Sequence, residues 1–337
     1  METATGTSAF KRILRSKAFT LIILLVALIV LFTILASLND AKFFTYKTFV
    51  NILQDLAIPA FLAIGAGCLL VAGSIDFSQW AAGAIAGMIV AVGIAWWHLP
   101  WYVTFIIALI ITACIGALNA VLVNVVRMAP FIATMATTAI IRAISMLIGT
   151  NSQHVLQSSV NFNDPTITVI GTYSVGGVIP ATVILALIAF VVYGLMLSST
   201  RLGRSIYMIG GNPNASRLAG LNAQKISYFL FINCSVMGGI AGLIYTSRSK
   251  QGGLQALQTD QFTGMTAAIL GGISFGGGSG GMGGAFIGLL VIKTFNKGML
   301  ISGSSTYLTT VLSGALLLAA LTLDYVSLRR QRKRIGA

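Results

Sequence analysis

Three polar side chains stand close together in the segment GSIDFSQ, between two long apolar stretches of this sequence. Asp76, Ser78 and Gln79 follow Gly73 and Ser74, two residues that favour a break in a helix. If the flanking stretches cross a bilayer, a charge at this depth costs about 2.5–3.5 kcal/mol on insertion scales. Two interpretations stay open. These groups line a path for a polar solute, or they form a structural ion pair or a helix cap.

Further polar residues interrupt other apolar stretches. Arg142 is the nearest counter-charge for Asp76 by type, so we predict that the two pair. Asn119 either bonds a neighbouring helix, as intramembrane amides often do, or contacts a solute whose hydroxyls need partners once they leave water. We therefore predict a translocation path formed by five residues: Asp76, Ser78, Gln79, Asn119 and Arg142.

A glycine-rich run, GGISFGGGSGGMGG, occupies residues 271–284. Glycine permits sharp turns and close approach of helices, so we interpret the run as a site of close packing or a gating hinge. A phosphate cradle is the alternative, but the Lys-Ser/Thr pair of a phosphate-binding loop does not follow. The hinge candidates are Gly271, Gly272, Gly276 and Gly277.

The sequence contains no nucleophile beside a base, no phosphate-binding loop and no metal-ligand spacing. Its three cysteines, Cys68, Cys114 and Cys234, all fall in apolar stretches, and His98 and His154 are isolated. We therefore predict that the chain is not an enzyme and needs no cofactor. If ATP powers the protein, another chain binds it.

Composition sets the class of protein. The 337 residues are 56% hydrophobic and 8% charged, with a mean hydropathy of +0.92, whereas soluble domains are about 25% charged. A bilayer core needs about 20 helical residues per crossing. We predict an all-α, polytopic transmembrane bundle that forms a single domain over residues 1–337. Ten stretches are candidate spans: 19–38, 49–72, 80–98, 101–126, 130–150, 178–199, 226–246, 263–275, 283–301 and 306–325.

The distribution of basic residues predicts the orientation. Fourteen of them fall in segments on the N-terminal side of the membrane and four on the opposite side. Positive charge favours the cytoplasm, so both termini are predicted to be cytoplasmic. Orientation explains the net charge of +14 without a nucleic-acid partner. The segments predicted to lie inside include 1–18, a loop at 201–225 and a basic tail at 326–337.

That basic tail, RRQRKR, either contacts lipid headgroups or serves only as an orientation signal. On the outside, the loop 151–177 is polar and nearly uncharged, and it offers a docking surface for an external partner. Alternation at 166–170 predicts a short strand or an interfacial segment there.

The cytoplasmic loop contains the signals of a short capped helix. In GGNPNASRLAG, Asn212 suits the N-cap, Pro213 the first helical position and Gly220 the left-handed terminator. Gly210 and Gly211 allow a sharp turn before it. So short a helix needs packing against the bundle or a partner. Contacts to such a partner are predicted from Leu218, Arg204, Arg217 and Tyr207, although an ordinary helical connection is the alternative.

The whole stretch STRLGRSIYMIGGNPNASRLAGLN resembles the cytoplasmic coupling region of ABC-type sugar-importer permeases of the ribose/galactose/xylose type. VAGSIDFS at 71–78, PFIATMATTAIIR at 130–142 and AAILGGISFGGGSGGMGG at 267–284 resemble further elements of that family, in the same order. The resemblance covers roughly residues 45–325. One departure is DQFT at 260–263, where two positions that are usually acidic in the family are neutral.

The resemblance implies a permease subunit that works with a second permease copy, cytoplasmic ATPase subunits and an extracytoplasmic binding protein. It implies a place in the bacterial inner membrane and uptake of a monosaccharide or similar polar solute. It places eight residues in the element that contacts the ATPase: Gly203, Arg204, Gly210, Gly211, Asn212, Pro213, Arg217 and Gly220. A stand-alone secondary transporter or channel is the alternative, but it needs intramembrane acids, which are scarce here.

Overall fold

The computed structural model describes residues 17–177, 179–305, 307–315, 318, 319 and 322. Twelve of the helices in these ranges are α1 (Lys17–Ser37), α2 (Tyr46–Val71), α3 (Gln79–Ala95), α4 (Trp101–Asn124), α5 (Pro130–Ile148), α6 (Pro165–Thr172), α7 (Ala181–Ser199), α8 (Arg201–Gly211), α9 (Pro213–Leu218), α10 (Ala223–Ser249), α11 (Gln258–Leu270) and α12 (Met282–Ile301). Residues 307–315, 318, 319 and 322 are also helical. The strands are β1 (Ser159–Asn161), β2 (Ser174–Val175), β3 (Ile179–Pro180) and β4 (Gln251–Gly253).

Seven of the described helices are long and apolar enough to cross a membrane: α1, α2, α4, α5, α7, α10 and α12. The predicted class, a polytopic helical membrane protein, is confirmed. Two of the ten predicted spans correspond to shorter helices, since α3 has 17 residues and α11 has 13. The last predicted span, 306–325, lies largely outside the described residues, as do most of the N-terminal segment and the basic tail.

Helices α2, α3 and α10 form the centre of the bundle, with α4 and α11 packed around them. The backbones of α3 and α10 approach each other closely at Gly83 and Gly238. A Cβ atom at Gly83 would collide with the backbone of Gly238, so the absence of a side chain there permits the contact. Such contact between small residues is how helices associate in a membrane, where no hydrophobic force drives them together. At the edge of the bundle, α1 packs on α12, where Phe32 lies edge-on to Phe295.

The segment 166–170 is helical, so of the two predicted alternatives, a short strand or an interfacial segment, the strand was wrong. Asp164 caps α6 by accepting bonds from the backbone amides of Thr166 (2.8 Å) and Ile167 (3.3 Å), and Pro165 occupies the first turn. These local signals outweigh the alternating pattern. The strands nearby are short: β1 pairs antiparallel with β4, and β2 with β3.

Candidate functional site

The cytoplasmic loop of the sequence-based prediction contains two helices rather than one. Its first part, 201–211, is the amphipathic helix α8. Thr200 starts this helix by accepting a hydrogen bond of 3.0 Å from the amide of Gly203. Leu202, Ile206 and Tyr207 then follow at helical spacing and pack on the core. The polar character of the stretch concealed this periodicity, because only one stripe of α8 is apolar.

The second part is the predicted capped helix, and its local structure is confirmed. Asn212 Oδ1 accepts hydrogen bonds from the amides of Asn214 (3.1 Å) and Ala215 (3.0 Å), with Pro213 in the first turn of α9. Gly220 follows the helix with φ of +74°, the left-handed conformation that glycine adopts without strain. The helix therefore has a fixed shape despite its six residues.

Helix α9 presents an apolar tip away from the bundle. Leu218 is 90% exposed, the highest exposure among the large hydrophobic side chains of the described residues. Arg217, the preceding residue, and Arg204 of α8 are also exposed. The loop therefore offers one apolar and two basic side chains to solvent.

Three backbone segments meet at the end of α8, and we name them the glycine junction: residues 71–73, 210–211 and 276–278. The amide of Gly278 donates a hydrogen bond of 2.8 Å to the carbonyl oxygen of Val71. A Cβ atom at Gly210 would collide with that carbonyl and would lie 2.6 Å from the nitrogen of Gly278. The three segments can approach this closely only because the side chains are absent.

Tyr207 links α8 to the glycine-rich run by a side chain as well. Its hydroxyl donates a hydrogen bond of 2.6 Å to the carbonyl oxygen of Gly280. Burial raises the pKa of Tyr207, so the hydroxyl keeps its proton and remains a donor at physiological pH.

The four hinge candidates lie along this run in different roles. Gly271 ends α11 in close contact with the backbone of Gly284 in α12, so it is a packing position. Gly272 and Gly277 have positive φ angles of +95° and +83°. Gly276 donates its amide to Ser274 Oγ at 3.2 Å. The run is thus an ordered turn that joins α11 to α12.

The break between α2 and α3 forms a buried polar cluster next to this junction. Asp76 Oδ1 accepts hydrogen bonds from the amide (2.7 Å) and the hydroxyl (2.6 Å) of Ser78. The Ser78 hydroxyl oxygen in turn accepts a bond of 2.7 Å from the amide side chain of Asn119 on α4. All three residues are at most 1% exposed. The structure therefore brings together three of the five predicted path residues.

The other two lie around this cluster. Gln79 is fully buried and donates to the carbonyl oxygen of Leu62 at 3.3 Å. Arg142 lies over the ring of Trp80, 5.8 Å from its centroid. Among the described residues Asp76 forms no ion pair, so the predicted pairing with Arg142 was wrong. The guanidinium lies over an aromatic face, a contact that is favourable for a cation.

Gln261 completes the cluster, and the sequence analysis did not assign it a role. Its side chain donates to the carbonyl oxygen of Asp76 (3.0 Å) and accepts from the amide of Trp80 (2.7 Å). Thr134 accepts from the amide of Phe77 at 3.1 Å. Non-helical backbone at membrane depth requires such partners. The sequence did contain a signal for this residue. Gln261 is one of the two neutral residues in DQFT, at positions that are usually acidic in the family that the sequence resembles.

Three oxygen atoms of the cluster have no hydrogen-bond partner within the described chain: Asp76 Oδ2, Gln79 Oε1 and Asn119 Oδ1. Unbonded buried acceptors are costly, about 1–3 kcal/mol each. The cluster begins only three residues after Gly73 of the glycine junction. The junction and the segment that carries Asp76 are therefore directly continuous along the backbone.

Several known proteins are similar to this chain in sequence. The family described as "Branched-chain amino acid transport system / permease component" matches residues 48–321. The ribose import permease protein of Escherichia coli (strain K12) is 32% identical over 304 residues, which cover 89% of this chain and 92% of the relative. The D-allose transport system permease protein of the same strain is 31% identical over 298 residues, 88% of this chain and 89% of the relative.

The xylose transport system permease protein of that strain is 27% identical over an alignment of 384 positions, which covers 97% of this chain and 96% of the relative. No solved structure matches the chain. The family match spans most of the chain, including the α2–α3 break, α8, α9 and the glycine-rich run. The predicted resemblance is confirmed: the chain belongs to the family of ABC-importer permease components that contains the ribose, allose and xylose permeases.

Proposed function

We propose that this permease component moves a monosaccharide or a similar small polar solute into the cell. Three relatives carry the names of the sugars ribose, allose and xylose. The family description names branched-chain amino acids instead. The buried carboxylate, hydroxyl and amide groups of Asp76, Ser78 and Asn119 favour the polar solute, because hydroxyl groups that leave water need hydrogen-bond partners.

The observation that carries the proposal is the position of α9. The helix is capped at its start by Asn212, Leu218 protrudes at its end, and α8 connects it to the glycine junction. A rigid projection of this kind suits insertion into a cleft on an ATPase subunit. The ten residues of this coupling element are Gly203, Arg204, Tyr207, Gly210, Gly211, Asn212, Pro213, Arg217, Leu218 and Gly220.

Motion of the ATPase then reaches the path through the junction. When the ATPase subunits close, they displace α9 and α8, and Gly210 moves against Val71 and Gly278. The segment 72–78 follows, since it continues from α2 without a helix in between. Asp76, Ser78, Gln79 and Asn119 are buried in the described conformation, so we expect them to contact solute only after this movement. Arg142 borders the path beside Trp80.

We further propose ten spans, with both termini in the cytoplasm. Helices α3 and α11 would count as shortened crossings, and the segment after residue 306 as the tenth. The glycine junction and the β1–β4 pair lie at opposite ends of α3 and α10, which fits this arrangement. A second permease copy would complete the pathway. A binding protein would dock on the predicted outer loop, residues 151–177, which contains α6. The basic tail would contact lipid headgroups.

Charge reversal on α9 tests the proposal. Arg217→Glu, reconstituted with the cognate ATPase and binding protein, should leave the fold intact and uncouple ATP hydrolysis from uptake. Arg127→Glu, an equal reversal in another cytoplasmic loop, is the matched control and should couple normally. Normal uptake per ATP by Arg217→Glu would contradict the proposal. Uptake without any ATPase, lost on Asp76→Asn, would instead indicate a stand-alone carrier.

A further inference from the structure

A cavity of about 500 Å³ lies at the other end of the bundle, between α2, α10, α11 and α12. Its volume falls within the range of about 300–1,000 Å³ typical of small-molecule sites. Six of the residues that line it carry charged or amide side chains: Asp55, Arg248, Asp260, Lys293, Asn296 and Lys297. None of them belongs to the buried cluster around Asp76.

The cavity contains both ion pairs found among the described residues. Lys293 lies 3.3 Å from Asp260, and Lys297 lies 3.5 Å from Asp55. Lys293 precedes the end of α12 by eight residues, which at 1.5 Å per residue places it about 12 Å below that end. Ionisable residues at such depth are costly, and they commonly mark solute pathways.

These pairs are not sealed into the protein. The side chain of Lys293 is 13% exposed and that of Asp260 is 28% exposed, while Asp55 nearer the surface reaches 48%. Each pair uses a single carboxylate oxygen. An ammonium group has three N–H donors and a carboxylate accepts through two oxygens, so both partners retain capacity for another ligand.

The alternation of donors and acceptors identifies the ligand class. A vicinal diol presents groups that each donate and accept, and it can bridge an ammonium and a carboxylate. The lining holds three cations and two carboxylates, so an anion would meet Asp55 and Asp260, and a cation would meet Arg248, Lys293 and Lys297. Asn296 lines the cavity outside both ion pairs, and its amide oxygen is already occupied by a hydrogen bond of 2.9 Å from Ser313, so its side chain is not one of the groups that we assign to the ligand. Arg248 donates a hydrogen bond of 2.7 Å to the carbonyl oxygen of Gln54.

We propose that this outer charged cavity is a binding site for a neutral, polyhydroxylated solute on its way into the membrane. The inference rests on the proposed function, because it assigns the entry site of the transported sugar. The ion pairs hold α2 and α11 against α12 and present hydroxyl-binding groups along one wall.

Protection of a cavity thiol tests the site directly. Cys114 is exposed, whereas Cys68 and Cys234 are buried, so Cys114→Ser provides a background of low reactivity. In that background Asn296→Cys is labelled with a membrane-impermeant maleimide, with and without D-ribose, D-allose or D-xylose. At a sugar concentration about ten times its dissociation constant, labelling should slow about tenfold. Gln255→Cys, on the exposed outer loop away from the cavity, should label at the same rate throughout.

The experiments distinguish failure of the coupling proposal from failure of the cavity proposal. Arg217→Glu should not alter protection, since occupancy of the outer cavity needs no ATP-driven motion. If Arg217→Glu uncouples as expected but no sugar protects position 296, the cavity inference is overturned and the proposed function stands. If a sugar protects but Arg217→Glu couples normally, the coupling proposal fails and the cavity stands.

Replacing the ion pair by apolar side chains separates ligand binding from a structural role. The double variant Asp260→Leu with Lys293→Met removes both charges together, so that no unpaired ion is left behind. We expect thermal unfolding close to that of the wild type, with protection at position 296 lost. Full protection in this double variant, or a docking defect of the binding protein without any sugar protection, would overturn the proposal.

Discussion

The backbone amide of Gly278 donates a hydrogen bond of 2.8 Å to the carbonyl oxygen of Val71, the last residue of α2. This bond crosses about two hundred residues of sequence and fastens the glycine-rich run to the start of the α2–α3 break. Gly210 of α8 packs against the same two backbone groups. Helix α8 and the segment that carries a buried carboxylate thus meet through close backbone contacts, to which the Tyr207 hydroxyl adds a bond to Gly280.

The first prediction concerns the fit of α8 in this junction. Gly210→Ala places a Cβ against Val71 and Gly278, and overpacking of this kind costs about 1–3 kcal/mol. We expect a lower midpoint of thermal unfolding in detergent and reduced uptake per ATP. Gly283→Ala, where a Cβ would meet nothing within 4 Å, should change neither the midpoint of thermal unfolding nor the uptake per ATP. Equal behaviour of the two variants would mean that the junction is not tightly packed.

The second prediction concerns the side-chain link to the glycine-rich run. Tyr207→Phe removes the hydroxyl that donates to Gly280, a loss of about 0.5–1.5 kcal/mol. The fold should persist, and ATP hydrolysis should continue with less solute moved per ATP. Tyr173→Phe, at an exposed tyrosine in the predicted outer loop 151–177, should transport normally. An unchanged ratio of uptake to hydrolysis in Tyr207→Phe would exclude the hydroxyl from coupling.

The cap of α9 gives a third prediction. Asn212→Ala removes the acceptor for the amides of Asn214 and Ala215, which typically costs about 0.5–2 kcal/mol. Hydrogen exchange of the amides in α9 should become faster, and coupling to the ATPase should weaken. Asn214→Ala, at an exposed position inside the helix, is the control and should exchange no faster. Unchanged exchange in Asn212→Ala would show that contacts other than the cap hold the helix.

A fourth prediction concerns the neutral residue of the DQFT stretch. Gln261→Glu has nearly the same shape but cannot donate to the carbonyl oxygen of Asp76 when ionised. It also adds a second carboxylate to a cluster with no cation paired to Asp76 among the described residues. We expect destabilisation beyond the roughly 1–3 kcal/mol of one unmet buried acceptor, measured by thermal unfolding. Gln258→Glu, exposed on the same helix, should unfold like the wild type. A wild-type midpoint for Gln261→Glu would contradict the role assigned to this amide.

Local signals in the sequence were sufficient for the membrane class, the permease family and the shape of α9. Asn212, Pro213 and Gly220 act on backbone groups within a few residues, so their effect does not depend on the rest of the chain. The amphipathic helix α8 was harder to predict. Its apolar stripe is only Leu202, Ile206 and Tyr207, which a polar surrounding obscures.

Contacts between distant segments could not be derived in this way. The sequence suggested Arg142 for Asp76 because their charges are opposite, but only packing decides which groups meet, and Arg142 lies over Trp80 instead. The same holds for Gln261, whose side chain satisfies backbone groups of a segment about 180 residues earlier.

The sequence alone determined that this chain is a helical membrane protein with a short capped helix in a polar loop, because apolar length and helix caps are local properties. The tertiary structure decided what the neighbouring helix α8 contacts. It brought Val71, Gly210 and Gly278 together, and it gathered Lys293 and Lys297 with their carboxylates around one outer cavity. Hydropathy and capping have a range of a few residues, whereas these contacts depend on how whole helices pack.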